Sequence, residues 1–465
     1  MQSWSEGWCQ VFKHLREQAH AAGVLSLLFL AACEPSAETL VDRLGDPEAR
    51  SLARQELLLA KEHAVEPLLA AMEDPGHADS RPELVEVLAS LTMRVDDPRI
   101  MASLARHLAD DPDPEVRERI AHIARRLGFK DFAGPLLDAV ADDESSQVRY
   151  EAIMGLSALA DGLSAVDEQR LREVVRHLVK DSHQGLRDEA IMVLEEQVTA
   201  QLREAHTSQL QAETTRAESL YHQAILTYPD SRHAHYRFAR YQMDLGDHHE
   251  GLATLREHGM LLDVPRLSTP PSLDGRLDEP VWREAASGGS FSQFASVHKA
   301  NFPSEVETDL YVGYTDQALY LGFVGHDAHP DSIQAGDHEE DGSIWWEDIV
   351  EVYVDANFDH RSYLQVGVNS KGVTSDFWYP NGLRGEGQDQ DWDADMTVGA
   401  RIGDGHWALE LELRWQPHQM PRPQPGDLWG FNFVRVYRGS EFSQWVRTYG
   451  SEAHTPDDFG LLLFK

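Results

Sequence analysis

Trp345-Trp346-Glu347-Asp348-Ile349-Val350-Glu351-Val352-Tyr353-Val354-Asp355 is the stretch that decides how the second half of this chain folds. From Ile349 onward the valines at 350, 352 and 354 alternate with Glu351 and Tyr353. A period of two marks a strand with one face in a core and the other turned away. The valines point inward, and Glu351 and Tyr353 share the opposite side. The same alternation continues in Tyr363–Asn369, where Leu364, Val366 and Val368 face in and Gln365, Gly367 and Asn369 face out. If the two strands are neighbours, Glu351, Tyr353, Gln365 and Asn369 form a polar floor with room above Gly367.

Working outward, residues 307–313, 318–325, 407–413 and 429–436 also read as strands. Asp404-Gly405 is a hairpin turn, and Asn381-Gly382 marks another. Many antiparallel strands within about two hundred residues predict a β-sandwich. Nine of the eleven tryptophans lie between Trp282 and Trp445, and none between Trp8 and Trp282. Flat rings in that half are able to stack on flat ligands such as sugars, although Trp282, Trp407, Trp429 and Trp445 are expected in the core. A proline-rich linker, residues 264–272, marks the change of regime.

Upstream the period is helical. Asp46-Pro47-Glu48-Ala49-Arg50, Asp113-Pro114-Glu115-Val116-Arg117, Gln147-Val148-Arg149 and Gly185-Leu186-Arg187 repeat one theme over residues 38–205. Asp caps a helix start, Pro suits the first turn, and the apolar face buries against the next unit. The pattern resembles HEAT repeats, four or five of them, with the Arg and Asp as turn-stabilising partners. Ala217, Tyr221, Ala224, Tyr228-Pro229, Ala234, Ala239, Tyr241, Leu245-Gly246 and Ala253 resemble a single tetratricopeptide unit over residues 212–256. His233, His235, His248 and His249 on those helices are expected to be solvated. The predicted fold is multidomain: an N-terminal all-α HEAT/tetratricopeptide-like solenoid followed by an all-β antiparallel sandwich over residues 264–465.

Within that last segment the resemblance is specific. Leu273-Asp274-Gly275-Arg276-Leu277-Asp278-Glu279-Pro280-Val281-Trp282 is similar to the opening of family 9 carbohydrate-binding modules. Asp316 to Gly322, Trp345 to Asp355, Trp429-Gly430-Phe431-Asn432-Phe433 and Pro456-Asp457-Asp458-Phe459-Gly460 follow in that family's order. The resemblance implies binding of a polysaccharide or oligosaccharide, and often structural calcium. Trp345 matches the position of one stacking tryptophan. The second stacking position is Ala453, followed by His454, and an arginine expected near Asn369 is replaced by Gly367. Trp378, Trp392 and Tyr379, in the long loop before the strand at 407–413, are the candidates to fill that gap. The site expected from sequence is thus Trp345, Glu351, Gln365, Asn369, Trp378 and His454. Asp355-x-Asn357-x-Asp359 has the spacing of calcium ligands but lacks the glycine and distal glutamate of an EF-hand loop. Glu410 and Glu412 sit two apart on one strand face; they are expected to be solvated, since they cannot flank a glycosidic bond.

The net charge is −38, from 79 acidic and 41 basic residues. Such a surface repels phosphate backbones, so nucleic acid is excluded as a partner. At the start of the chain, Lys13 and Arg16 precede an apolar run, residues 21–32, that ends Leu30-Ala31-Ala32-Cys33. This resembles a bacterial lipoprotein signal, with residues 1–32 removed and Cys33 acylated. Two or more acyl chains would hold the protein stably to a lipid bilayer in the cell envelope, and Glu34 after the cysteine is compatible with the outer membrane. Cys9 leaves with the signal, so no intramolecular disulfide is expected. No metalloprotease helix motif, nucleophile elbow or phosphate loop occurs. The functional expectation is a lipid-anchored, non-catalytic carbohydrate-binding protein that supports polysaccharide capture and catabolism. The rivals are an envelope scaffold whose helices grip a protein partner, and a glycoside-processing component.

Overall fold

The computed structural model describes residues 35–159, 162–293, 304–336, 338–383, 388–389, 391–448 and 453–465. The signal-like segment and Cys33 lie outside the described residues. The contacts divide the chain into two compact units, one up to Glu189 and one from Ala190 on. The helices are α1 Ala37–Asp42, α2 Arg50–Ala60, α3 Glu62–Glu73, α4 Arg81–Thr92, α5 Pro98–Asp110, α6 Pro114–Leu127, α7 Ala133–Asp142, α8 Ser146–Ala158, α9 Ala165–Leu178, α10 Gln184–Leu210, α11 Thr214–Thr227, α12 Arg232–Asp244 and α13 His248–Glu257.

In the first unit the repeated Asp-Pro theme becomes a helix start. Asp97 accepts from Arg99 N and Asp113 from Glu115 N, each with a proline in the first turn. Each cap thereby satisfies one of the amide donors a helix leaves orphaned. The four motif arginines share one bond. Arg50 donates to the Leu44 carbonyl (3.0 Å), Arg117 to Asp111 (2.7 Å), Arg149 to Asp143 (2.9 Å) and Arg187 to Asp181 (2.7 Å). Two of them also reach forward to the next turn. Arg117 pairs with Asp143 at 2.8 Å, and Arg149 with Asp181 at 3.0 Å. The sequence period of 32 residues between Arg117 and Arg149 is therefore the period of a ladder that ties each turn to its neighbour.

In the second unit, α12 and α13 pack on the sandwich. Tyr236, Met243 and Leu255 share one buried cluster with Met260, Leu461 and Phe464. The Tyr236 hydroxyl donates to the Asp457 and Phe459 carbonyls at 2.9 and 2.7 Å. His233, expected in solvent, is instead buried and held neutral, because leaving water penalises its charged form and Arg237 and Arg447 add like charge.

The strands are β1 Leu261–Val264, β2 Ala286–Gly288, β3 Ser292–Gln293, β4 Thr308–Tyr314, β5 Ala318–His326, β6 Ile349–Asp355, β7 Tyr363–Asn369, β8 Thr374–Tyr379, β9 Met396–Gly403, β10 His406–Arg414, β11 Leu428–Tyr437, β12 Glu441–Gln444 and β13 Gly460–Phe464. One sheet runs β1-β13-β11-β6-β7-β8, with β12 on β11 and β3 on β12; the other runs β2-β4-β5-β10-β9. All pairs are antiparallel except β1 with β13, which runs parallel. Between the sheets lie Val350, Val352, Val354, Leu364, Val366 and Val368 from one side, and Leu310, Leu321, Phe323, Trp407 and Leu411 from the other. The inward residues read from alternation are thus the core. Trp282, Trp407, Trp429 and Trp445 are buried as expected.

Glu410 is a correction. It is fully buried rather than solvated, and accepts from Asp274 N (2.9 Å), Gly275 N (2.8 Å) and Trp282 Nε1 (2.7 Å). Burial raises its carboxyl above the usual range, and those three donors offset this in part. The carboxylate pins the opening turn of the domain to β10. Gly275, at φ 76°, is needed there, since a Cβ would lie 2.7 Å from the Ala400 carbonyl carbon.

Candidate functional site

The outer face of the larger sheet carries a second apolar cluster, built on Ile349, Tyr353, Tyr363, Tyr379, Val434, Val436 and Phe459. Glu351 is opposite Gly367, and Tyr353 opposite Gln365, across the β6–β7 ladder. Gln365 in turn faces Phe377, and Tyr363 faces Tyr379, across β7–β8. Period-two alternation places all these side chains on one face.

A chain of hydrogen bonds crosses the face and ends on Glu351. The Tyr379 hydroxyl donates to Gln365 Oε1 at 2.9 Å. Gln365 Nε2 donates to Glu351 Oε2 at 2.7 Å and to the Tyr353 hydroxyl at 3.0 Å. Tyr353 donates to the same Glu351 oxygen at 2.5 Å. Glu351 retains 9% of its exposure, while Tyr353, Gln365 and Tyr379 retain less. Burial pushes the Glu351 carboxyl up, against the pull of its Tyr353 and Gln365 donors. The same burial, with the charge of Glu351 added, pushes the Tyr353 phenol up.

Trp345 lies over this strip. A Cβ on Gly367 would sit 2.9 Å from its ring, so the missing side chain makes space for the indole. Phe377 is beside it, with ring centroids 5.6 Å apart at 33°. Trp345 and Phe377 are both half-buried. His454 closes the other end. Its ring is 5.2 Å from those of Tyr353 and Tyr379, and its Nδ1 shares a 2.9 Å hydrogen bond with the Tyr363 hydroxyl. Burial lowers the His454 imidazole to about 4, so the ring is neutral near pH 7.

The structure therefore brings together Trp345, Glu351, Gln365 and His454. It does not bring Asn369 or Trp378 to the open part of the face. Asn369 is fully buried, donating to Glu347 Oε2 at 2.9 Å and accepting from Lys371 N and Val373 N. It organises the loops at the end of the strip. Trp378 is a correction: it pairs with the inward-facing Leu364 and packs against the inter-sheet core beside Trp392. Residues 374–379 form a strand rather than a loop, so alternation gives the open face to Phe377 and Tyr379 instead. Tyr379 is among the candidate rings read from sequence; reading that strand would have found Phe377 as well.

The Asp355, Asn357 and Asp359 oxygens are taken up by their own loop. Asp355 accepts from His360 N at 2.8 Å, Asp359 from Ser362 N at 2.7 Å, and Asn357 from Asp359 N at 3.2 Å. They act as turn caps, and burial raises Asp355 to about 6. Among the described residues, Glu307, Asp309 and His326 form the one cluster with ligand atoms close enough to share a cation. Arg435 donates to the Glu307 and His326 carbonyls there, a fixed positive charge that opposes a cation.

The loop that carries Trp345 is held at both ends. Glu347 accepts from Gly336 N (2.8 Å), His338 Nε2 (2.7 Å) and Asn369. Burial acts to raise Glu347, yet these donors together hold its carboxyl below the usual range. Asp348 accepts from Gln334 N at 2.7 Å and Arg438 N at 3.1 Å.

Residues 65–157 match the family model for HEAT repeats. No curated protein matches the sequence. Among solved structures, a family 9 carbohydrate-binding module from Caldicellulosiruptor kristjanssonii, in complex with cellotriose, is 16% identical with a TM-score of 0.34, over 44% of this chain and 93% of that one. A putative carbohydrate-binding protein from Bacteroides uniformis is 16% identical with a TM-score of 0.37, over 44% of this chain and 99% of that one. The CpcE–CpcF complex of phycocyanin lyase from Nostoc is 25% identical with a TM-score of 0.28, over 34% of this chain and 97% of that one. Residues 65–157 are thus similar to HEAT repeats.

Proposed function

We propose that the outer face of the larger sheet binds carbohydrate, and that the protein captures polysaccharide without chemistry of its own. One observation carries this reading. A partly exposed tryptophan, Trp345, is seated over a glycine at the edge of a hydrogen-bonded Glu351–Tyr353–Gln365–Tyr379 strip. Sugar recognition calls for that combination, because pyranose faces stack on rings while their hydroxyls need acceptors and donors close by. Glu351 and His454 are the groups nearest to offering an acceptor at the surface. The resemblance of Leu273 to Trp282 and of Trp345 to Asp355 to family 9 modules points the same way.

In this reading Cys33 carries the lipid that tethers the chain to a bacterial envelope membrane, the outer one given Glu34. The helical repeats offer a surface for a protein partner, and the bound glycan is presented to separate enzymes. A scaffold role is the second reading. It is favoured by the degree to which the polar strip satisfies itself, with Asn369 fully buried and Gln365 nearly so. Affinity electrophoresis of the full chain against a broad panel of soluble glycans, with and without calcium, separates the two. Retardation that Trp345→Ala abolishes supports sugar binding; no retardation on any glycan leaves the scaffold. Incorporation of radiolabelled palmitate, lost in Cys33→Ser, is the result expected for the anchor.

A further inference from the structure

Trp346 is the one exposed tryptophan among the described residues, at 72%. Its exposure does not come from a loose loop. Ile344 on one side is fully buried, Glu347 on the other accepts three hydrogen bonds, and Asp348 beyond it is bonded to Gln334 and Arg438. Gly439, at φ 60°, closes on the backbone itself, since a Cβ there would lie 2.7 Å from the Trp346 carbonyl oxygen. A large apolar ring fixed in water gains nothing for the fold.

Its ring is perpendicular to that of Phe442, with centroids 6.3 Å apart and an angle of 87°. Phe442 is opposite Val436, and Val436 opposite Ile349, so Phe442 belongs to the same outer face as Glu351. The neighbouring tryptophans therefore diverge, Trp345 toward β7 and β8 and Trp346 toward β12. Together they make a row, Phe442–Trp346–Trp345–Phe377, that crosses the sheet from β12 to β8. Four strand spacings amount to about 19 Å, a length covered by several consecutive pyranose rings rather than one.

We propose that Trp346, backed by Phe442, is a second stacking subsite, so that the face takes an internal stretch of an extended, neutral polysaccharide. This rests on the sugar-binding reading of the Trp345 strip. Neutral chemistry follows from the −38 charge, which repels uronate-rich or sulfated chains. Asn369 and Glu347 serve as positioning residues, because their mutual bond fixes the loop that carries both indoles.

The test is isothermal titration of the full chain with a neutral β-linked glucan or xylan oligosaccharide series, from disaccharide to hexasaccharide. Wild type, Trp346→Ala, Trp346→Tyr and Trp345→Ala are compared, with near-ultraviolet circular dichroism to verify folding. Affinity of the wild type is expected to rise with chain length. Trp346→Ala is expected to lose on the order of ten-fold on the hexasaccharide, the usual worth of one stacked ring, and nothing on the disaccharide. Trp346→Tyr retains most of the gain, and Trp345→Ala weakens every length. A Trp346→Ala variant with unchanged length dependence overturns the second subsite and leaves sugar binding standing. Wild type that binds no oligosaccharide removes both.

Discussion

The ring of Trp345 fills the space that a side chain on Gly367 would take, 2.9 Å from where its Cβ would be. Gly367→Val should therefore lift the indole off the strip. The ring is the proposed platform, so glycan retardation should fall by at least about ten-fold. Crowding the site should cost about 1–3 kcal/mol of stability. The two effects are read separately, by affinity electrophoresis and by urea unfolding followed through tryptophan fluorescence. Apart from Trp4 and Trp8, every tryptophan lies at or beyond Trp282, so that signal reports the sandwich.

Glu410 accepts from three donors, Asp274 N, Gly275 N and Trp282 Nε1, of which Asp274 N also reaches the Ser272 carbonyl. Glu410→Ala leaves Gly275 N and Trp282 Nε1 without this acceptor, and each stranded donor is expected to cost about 1–3 kcal/mol. Glu412→Ala should cost much less, since Glu412 meets Tyr320 and the exposed Arg414 near the surface. Fluorescence-detected urea midpoints of the two variants should differ accordingly. Equal midpoints would contradict the pinning role.

Acid should act through His454. Its imidazole titrates at about 4 in the folded protein against 6.5 ordinarily. Between those values the unfolded chain binds a proton that the folded chain does not, so stability falls as pH drops through this window. His454→Gln keeps a partner for Tyr363 but cannot titrate. Wild type should lose about 2 kcal/mol or more relative to that variant between pH 6.5 and 4, because one pKa unit is worth about 1.4 kcal/mol. Asp355 and Asp376, raised to about 6 and about 7, act in the opposite direction. They are common to both proteins and cancel in the difference. A constant difference across the window would contradict the buried, neutral histidine.

In the helical unit, Arg117 and Asp143 are both nearly buried and 2.8 Å apart. A double-mutant cycle with Arg117→Ala and Asp143→Ala should give a coupling of about 1–3 kcal/mol. Far-ultraviolet circular dichroism reads it, since no tryptophan lies between Trp8 and Trp282. The exposed pair of Arg99 and Glu66, in which Arg99 is 58% and Glu66 75% open, should couple by less than about 1 kcal/mol.

Much of this fold was legible because its signals are local. Alternation in Ile349–Asp355 and Tyr363–Asn369 assigns every inward valine and leucine of the two strands, and the Asp-Pro turns mark helix starts. The role of the motif arginines was legible in kind, as turn partners, but not the shared bond to a carbonyl six residues upstream. What escaped depends on long-range partners. Glu410 looks like any strand-face carboxylate until Gly275 and Trp282, some 130 residues away in sequence, arrive above it. His233 likewise has no local sign of burial. For the candidate site, Glu351, Gln365 and Trp345 followed from alternation and resemblance. Phe377 was hidden, and Tyr379 was a candidate only as a loop residue, because β8 is short and polar at its start, and Asn369 was misjudged because facing outward is not the same as being open.

The central claim is that the Trp345 strip binds sugar, and direct titration tests it. The full chain should bind at least one soluble neutral oligosaccharide, and Trp345→Ala should weaken that binding by about ten-fold or more while its near-ultraviolet circular dichroism shows the protein still folded. Binding left intact in Trp345→Ala, or none by the wild type across the panel, would contradict it.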